Sequence, residues 1–250
     1  MSQSRREFLA LAASGLAVGR RASASAPPTA VKAVALDALT ILDPSSVVAV
    51  AETMFPGQGT ALGAVWRTRQ FEYTWLRTAA GRYEDFWTVT GDALVFASRM
   101  LKLELTAARH QRLMQAVLDI KAYPDAQAAL ASLRQSGVRL AFLTNMTAGM
   151  VGAGIRNSGL EGLFEEVLTT DRVRAYKPDP RAYQMAIDAF SLPRDAIAFA
   201  AFGGWDAAGA KWFGYRTFWV NRSGVPPEQL GIEPDGVGRD LHDLARFLGV

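Results

Sequence analysis

Asp37 closes the apolar run VKAVAL (31–36), and apolar residues resume directly after it. A run of that length reads as a buried strand, and a carboxylate at its tip is expensive to desolvate unless a neighbour keeps it charged and useful. Three later stretches supply polar groups: RLAFLTN (139–145) ends in Thr144 and Asn145, AYKPDP carries Lys177, and FGGWDAAGA carries Asp206. Taken singly, each has an ordinary explanation. Asp37 could cap a following helix, Thr144 and Asn145 could form a turn, and Lys177 could be a loop lysine beside Pro178. Their appearance in order, at successive loop ends, favours one shared site. Other chemistries find less support. The chain has no cysteine, so thiolate chemistry and disulfides are excluded. Its two histidines, His110 and His242, fall in no metal-ligand spacing, and no G-x-S-x-G elbow is present. GAGIRNSG (152–159) imitates a dinucleotide fingerprint, but Asn157 stands where the third glycine belongs, so it reads as a helix with small packing faces.

These groups need a scaffold that gathers distant loop ends. PDAQAALASLRQSG reads as a helix with Asp125 as its N-cap and Gly137 as its stop. RLAFLTN is a second buried strand, a helix follows near 147–158, then the strand EEVLTT (165–170) and a helix near 180–190. AIAFAAF is a strand, DAAGAKWFG a helix of small residues, and RTFWVN (216–221) the last clear strand. Strands alternating with helices predict a parallel sheet covered on both faces, with ligands beyond the carboxyl ends of its strands. Asp37, Thr144, Asn145, Gly203 and Asp206 all fall at or just past such ends. Residues 44–122 differ: Trp66, Phe71, Tyr73, Trp75, Leu76, Phe86, Trp87, Leu94 and Phe96 recur at helical spacing, which predicts a helical module.

The first 24 residues read as a leader rather than as part of the fold. Arg5 and Arg6 stand in an S-R-R-x-F-L pattern, a modest apolar stretch runs from Phe8 to Val18, and small residues follow Arg20 and Arg21. The apolar stretch is short for a membrane span, and the pattern is that of a twin-arginine export signal with cleavage after Ala24. The expected location is therefore periplasmic or exported, with no membrane partner after cleavage. The leader holds four arginines and one glutamate; the remainder has 23 basic and 23 acidic residues. The basic pI belongs to the leader, and a nucleic-acid partner loses its electrostatic support.

The order of acid, hydroxyl with amide, lysine and second acid resembles the haloacid dehalogenase superfamily. The segments WRTRQFEYTWLR (66–77), GRYEDF, YKPDPRAY (176–183) and WDAAGAKWFGYRTFWVNR (205–222) are similar to its (S)-2-haloacid dehalogenase family. The likeness spans about residues 31–248. It implies an α/β fold: a Rossmann-like parallel core from 31–43 and 123–250, with an inserted helical cap at 44–122. It also implies hydrolysis of short (S)-2-haloacids to (R)-2-hydroxy acids through an aspartyl ester, without metal or cofactor, in a chain that commonly forms homodimers.

By that resemblance Asp37 attacks C2, Arg67 receives the halide, Lys177 holds Asp37 ionised, and Tyr183 and Asp206 support Lys177 and position water. Thr144, Asn145 and Tyr183 join the substrate-binding set with Leu39 and Thr40. Phe71, Phe86 and Trp205 wall the pocket, although each could equally be a plain core aromatic. Two departures stand out. The family's D-x-x-G-T turn lacks its glycine here, so Thr40 comes three residues after Asp37, and Ala201 and Gly203 replace a serine and an asparagine. Two other readings follow from the same residues. A metal-dependent phosphatase needs an acid where Leu39 stands. A scaffold that binds a small carboxylate without turnover fits Ala201, Gly203 and the shortened turn.

Overall fold

The run ahead of Asp37 becomes the middle of a sheet. A computed structural model describes residues 30–250, so the leader expected at 1–24 lies outside the described residues. Strand β1 (Ala33–Leu36) is buried along its whole length, and a single helical turn, α1 (Ala38–Ile41), follows Asp37 directly. The two-residue strand β2 (Leu42–Asp43) then leads into four helices: α2 (Ser45–Met54), α3 (Gly59–Ala79), α4 (Phe86–Met100) and α5 (Ala107–Leu118). Asp85 and Thr106 cap α4 and α5 by accepting from the Thr88 and Arg109 amides, satisfying donors that a helix start leaves open. The chain returns through β3 (Lys121–Ala122), which pairs antiparallel with β2. The helices are thus strung between two short strands held side by side.

The remainder alternates as the sequence predicts: α6 (Ala126–Gln135), β4 (Arg139–Thr144), α7 (Ala148–Ser158), β5 (Glu166–Thr169), α8 (Pro180–Phe190), β6 (Ile197–Ala201), α9 (Gly204–Phe213) and β7 (Arg216–Val220). Two elements lie beyond the strand expected to be last, β8 (Gly236–Gly238) and α10 (Leu241–Leu248). The sheet order is β5-β4-β1-β6-β7-β8, and every pairing is parallel. The connections run outward from β1 in both directions. Its carboxyl end is therefore the topological switch point, where an open α/β sheet leaves a crevice.

Because side chains alternate along a strand, β1 serves two cores. Val34 and Leu36 join Leu140, Phe142, Ala198 and Ala200 on a face continuous with Leu62, Trp66, Leu94 and Leu113 of the helical layer. Ala33 and Ala35 join Ala141, Leu143, Phe199 and Ala201 on the face covered by α8 and α9. Gly154 lets α7 approach closely, since a Cβ there would stand 2.6 Å from Leu42 Cδ1. The small-residue reading of GAGIRNSG thus holds. Asp125 departs from its expected role. It occupies the N-cap position of α6 but makes no cap bond, because Arg222 and the Leu241 amide take its carboxylate.

Candidate active site

Asp37 uses its two carboxylate oxygens differently. Oδ1 accepts from the Leu39 amide at 2.9 Å, capping α1, while Oδ2 accepts from Lys177 Nζ at 2.6 Å. Helix cap and charged site residue are both true of it. The missing glycine makes the turn tight: the Thr40 amide and hydroxyl both donate to the Asp37 carbonyl, at 3.1 and 2.7 Å. Arg222 fixes the far side of that turn through two bonds to the Thr40 carbonyl, at 2.7 and 3.1 Å.

Lys177 is wholly buried between two acids, its Nζ also 2.6 Å from Asp206 Oδ2. Its amide donates to Asn145 Oδ1 at 3.1 Å. Burial opposes the ammonium, but the Asp206 and Asp37 carboxylates outweigh it and hold Lys177 above the ordinary lysine range. Asp206 feels burial most strongly; with the charge of Asp37 added, its pKa rises to about 6 in spite of Lys177. Tyr183 supports it by donating to Asp206 Oδ1 at 2.7 Å, and burial pushes the phenol itself well up. Gly209 permits this approach, since a Cβ there would lie 2.5 Å from Tyr183 Oη and 2.6 Å from Pro178 Cβ.

Above these charges lies a cavity of about 80 Å³. That is room for a short organic molecule rather than a single water. Asp37, Leu39, Arg67, Phe71, Phe86, Thr144, Asn145, Trp205 and Asp206 all line it, so nine of the predicted residues converge. Three do not reach the wall. Lys177 stands behind Asp37, Tyr183 behind Asp206, and Thr40 beneath the turn, where its hydroxyl is spent on backbone. Tyr183 and Thr40 therefore support the wall rather than form it. Part of the remaining lining was not foreseen, including Val47, Val48, Gln70, Ile120, Met146 and Met150. All but Gln70 are apolar and look like any core residue in sequence.

The wall is mostly apolar, with unspent donors. Asn145 Nδ2 is buried without a partner, and Arg67 makes no hydrogen bond or ion pair among the described residues. Such groups in a dry pocket suit an anion. At the fourth loop, Gly203 carries no side chain, and the space is filled: a Cβ there would lie 2.7 Å from Trp205 Nε1. That indole packs against Phe71 and Trp75, with ring centroids at 5.2 and 5.4 Å.

A parallel sheet with charged side chains gathered at its switch point defines an α/β enzyme core. The comparisons sharpen this. The family model for haloacid dehalogenase-like hydrolases matches residues 28–214. Haloacetate dehalogenase H-2 of Moraxella sp. (strain B) is 39% identical over 206 residues, 82% of this chain and 92% of the relative. The (S)-2-haloacid dehalogenase of Pseudomonas sp. (strain YL) is also 39% identical over 206 residues, 82% of this chain and 89% of its own. The structure of L-2-haloacid dehalogenase from Xanthobacter autotrophicus with chloropropionic acid covalently bound superposes with a TM-score of 0.81 at 33% identity, covering 88% of this chain and 98% of that one. This chain belongs to the haloacid dehalogenase-like hydrolase family.

Proposed function

We propose that the protein hydrolyses short (S)-2-haloacids to (R)-2-hydroxy acids through an ester on Asp37. One observation carries this reading: an ammonium-paired carboxylate faces a small apolar cavity whose unspent donors are a guanidinium and an amide. A 2-haloacid presents an anionic carboxylate and a leaving halide to those donors, with an electrophilic carbon between. Asp37 attacks C2 from the side opposite the halogen; the carbon–halogen bond breaks, and the halide departs with the electron pair towards Arg67. A guanidinium stabilises that developing charge in a low-dielectric pocket. Water then adds to the Asp37 carboxyl carbon, with Asp206 orienting it and accepting its proton. The ester opens, and one Asp37 oxygen leaves as the product hydroxyl, carrying the proton that Asp206 returns. A water oxygen replaces it, and the new Asp37 carboxyl loses its remaining proton to solvent.

Similarity to relatives named for haloacetate and (S)-2-haloacids, and to a structure holding covalent chloropropionic acid, supports the substrate class. Leu39, where a phosphatase would need an acid, weighs against phosphoryl transfer. The test is chloride release from the two enantiomers of 2-chloropropionate, run beside Asp37→Asn. The S enantiomer should give chloride with wild type alone; equal background from both proteins rejects the reading. The absence of side-chain donors at Ala201 and Gly203 motivates a second reading, a binding protein without turnover. It predicts that 2-chloropropionate raises Tm while no halide is released.

A further inference from the structure

Two sequence segments, GRYEDF and YKPDPRAY, meet across the boundary between the helical layer and the sheet, and one tyrosine of each, Tyr83 and Tyr176, has no part in the chemistry above. Tyr83, in the loop between α3 and α4, donates its hydroxyl to Asp171 Oδ1 at 2.5 Å. Tyr176, immediately before Lys177, donates in the opposite direction to the Glu84 carbonyl at 2.5 Å. The two rings pack at 4.8 Å between centroids, and both residues are buried. Two further bonds cross the same boundary. The Tyr176 amide donates to Thr78 Oγ1 at 3.1 Å, and Arg174 Nη2 donates to the Tyr83 carbonyl at 3.4 Å, its guanidinium 5.2 Å from the Tyr83 ring. Arg174 adopts a left-handed backbone, φ 50°, which non-glycine residues seldom take without surrounding contacts to hold it.

Each end of this crossing abuts a wall of the cavity. Phe86, two residues past Glu84, lines it and packs on Tyr176 at 6.2 Å. Lys177, next to Tyr176, is the group that aims Asp37. We propose that Tyr83 and Tyr176 form a reciprocal latch that fixes the α3–α4 loop to the Lys177 loop, making them positioning residues that hold Lys177 and Phe86 in register across the site. Two phenols donating in opposite directions resist sliding along the boundary as well as separation from it. A hydroxyl that loses its acceptor here stays buried and unsatisfied, so the closed arrangement is favoured by both sides. A misplacement of the reacting groups by about 1 Å can cost on the order of a hundredfold in rate, which makes such a register worth holding.

The kinetic arm of the test rests on the dehalogenase reading, so a second readout independent of activity accompanies it. Amide hydrogen exchange and chloride release from (S)-2-chloropropionate are measured for wild type, Tyr83→Phe, Asp171→Ala and Asp171→Asn. Tyr83→Phe removes one oxygen and leaves the ring packing in place. It should speed exchange in both 80–86 and 173–177 about tenfold, and lower kcat about tenfold with KM within about twofold. Asp171→Ala should do the same, whereas Asp171→Asn, which keeps an acceptor for Tyr83, should stay near wild type. The latch is overturned if Tyr83→Phe and Asp171→Ala loosen only 80–86 while 173–177 keeps its protection, or if Asp171→Asn is as damaging as Asp171→Ala. If wild type releases no chloride, the dehalogenase reading fails, and the exchange pattern still decides the latch.

Discussion

Two carboxylates share one ammonium at the buried centre, leaving a net negative charge that Asp206 relieves by taking a proton near pH 6. Its pKa is raised, so the neutral form gains as pH falls, and the ionised form needed to accept the water's proton is lost below about 6. Chloride release should therefore decline on the acid side with a midpoint near pH 6, and Asp206→Asn should lower kcat and abolish that limb. A wild-type profile flat down to the ordinary carboxylate range would contradict this. Arg67 tests the other end of the cavity. Arg67→Ala should slow chloride release about a hundredfold, and Arg67→Lys, which keeps charge without the planar fork, should recover only part of it. Asp37 was legible in the sequence because an acid at the tip of an apolar run is conspicuous, and Lys177 and Asp206 because they follow it in order on successive loops. The apolar part of the wall, Val47, Val48 and Met150 among it, was not, since residue type does not tell a pocket wall from a core position.

At the scale of elements, the small-residue helix α9 is shaped by what it must approach. Gly209→Ala drives a methyl group into Tyr183 and Pro178, so it should destabilise the protein by about 1–3 kcal/mol. It should also reduce kcat, because Tyr183 and Asp206 move with it. Urea unfolding checks the first effect and chloride release the second; an unchanged midpoint would mean the close approach is not sustained. The main strands were readable because β1 and β6 are wholly apolar and β4 and β7 carry the apolar runs LAFL and FWV, the mark of strands covered on both faces. β8 was missed because Gly236–Gly238 carries one apolar side chain, and β2 and β3 because two residues show no period. The signal for α10 was present in Asp240, which caps it, and in the spacing of Leu241, Leu244, Ala245 and Leu248. Asp125 was misread because acids ahead of helices usually cap; Arg222, 97 residues away in sequence, claims it instead.

For the molecule as a whole, charge divides it. Residues 25–250 balance 23 basic against 23 acidic side chains, so attraction to polyanions is not expected of them. Among the described residues no helix is long and apolar enough to cross a membrane. We propose that residues 1–24 direct export of the folded chain through the twin-arginine route. Replacing Arg5 and Arg6 together by lysine should then leave the protein in the cytoplasm on cell fractionation, and unaltered export would reject the proposal. The central claim, a covalent ester at the switch point, is tested most directly by oxygen isotope transfer. Enzyme in excess over (S)-2-chloropropionate is allowed one turnover in ¹⁸O-water, and the product and the peptide containing Asp37 are weighed by mass spectrometry. The ester route predicts an unlabelled hydroxyl in the lactate formed and one heavy oxygen in Asp37. A labelled lactate with unlabelled Asp37 would mean that water attacks the substrate carbon directly, and would contradict it.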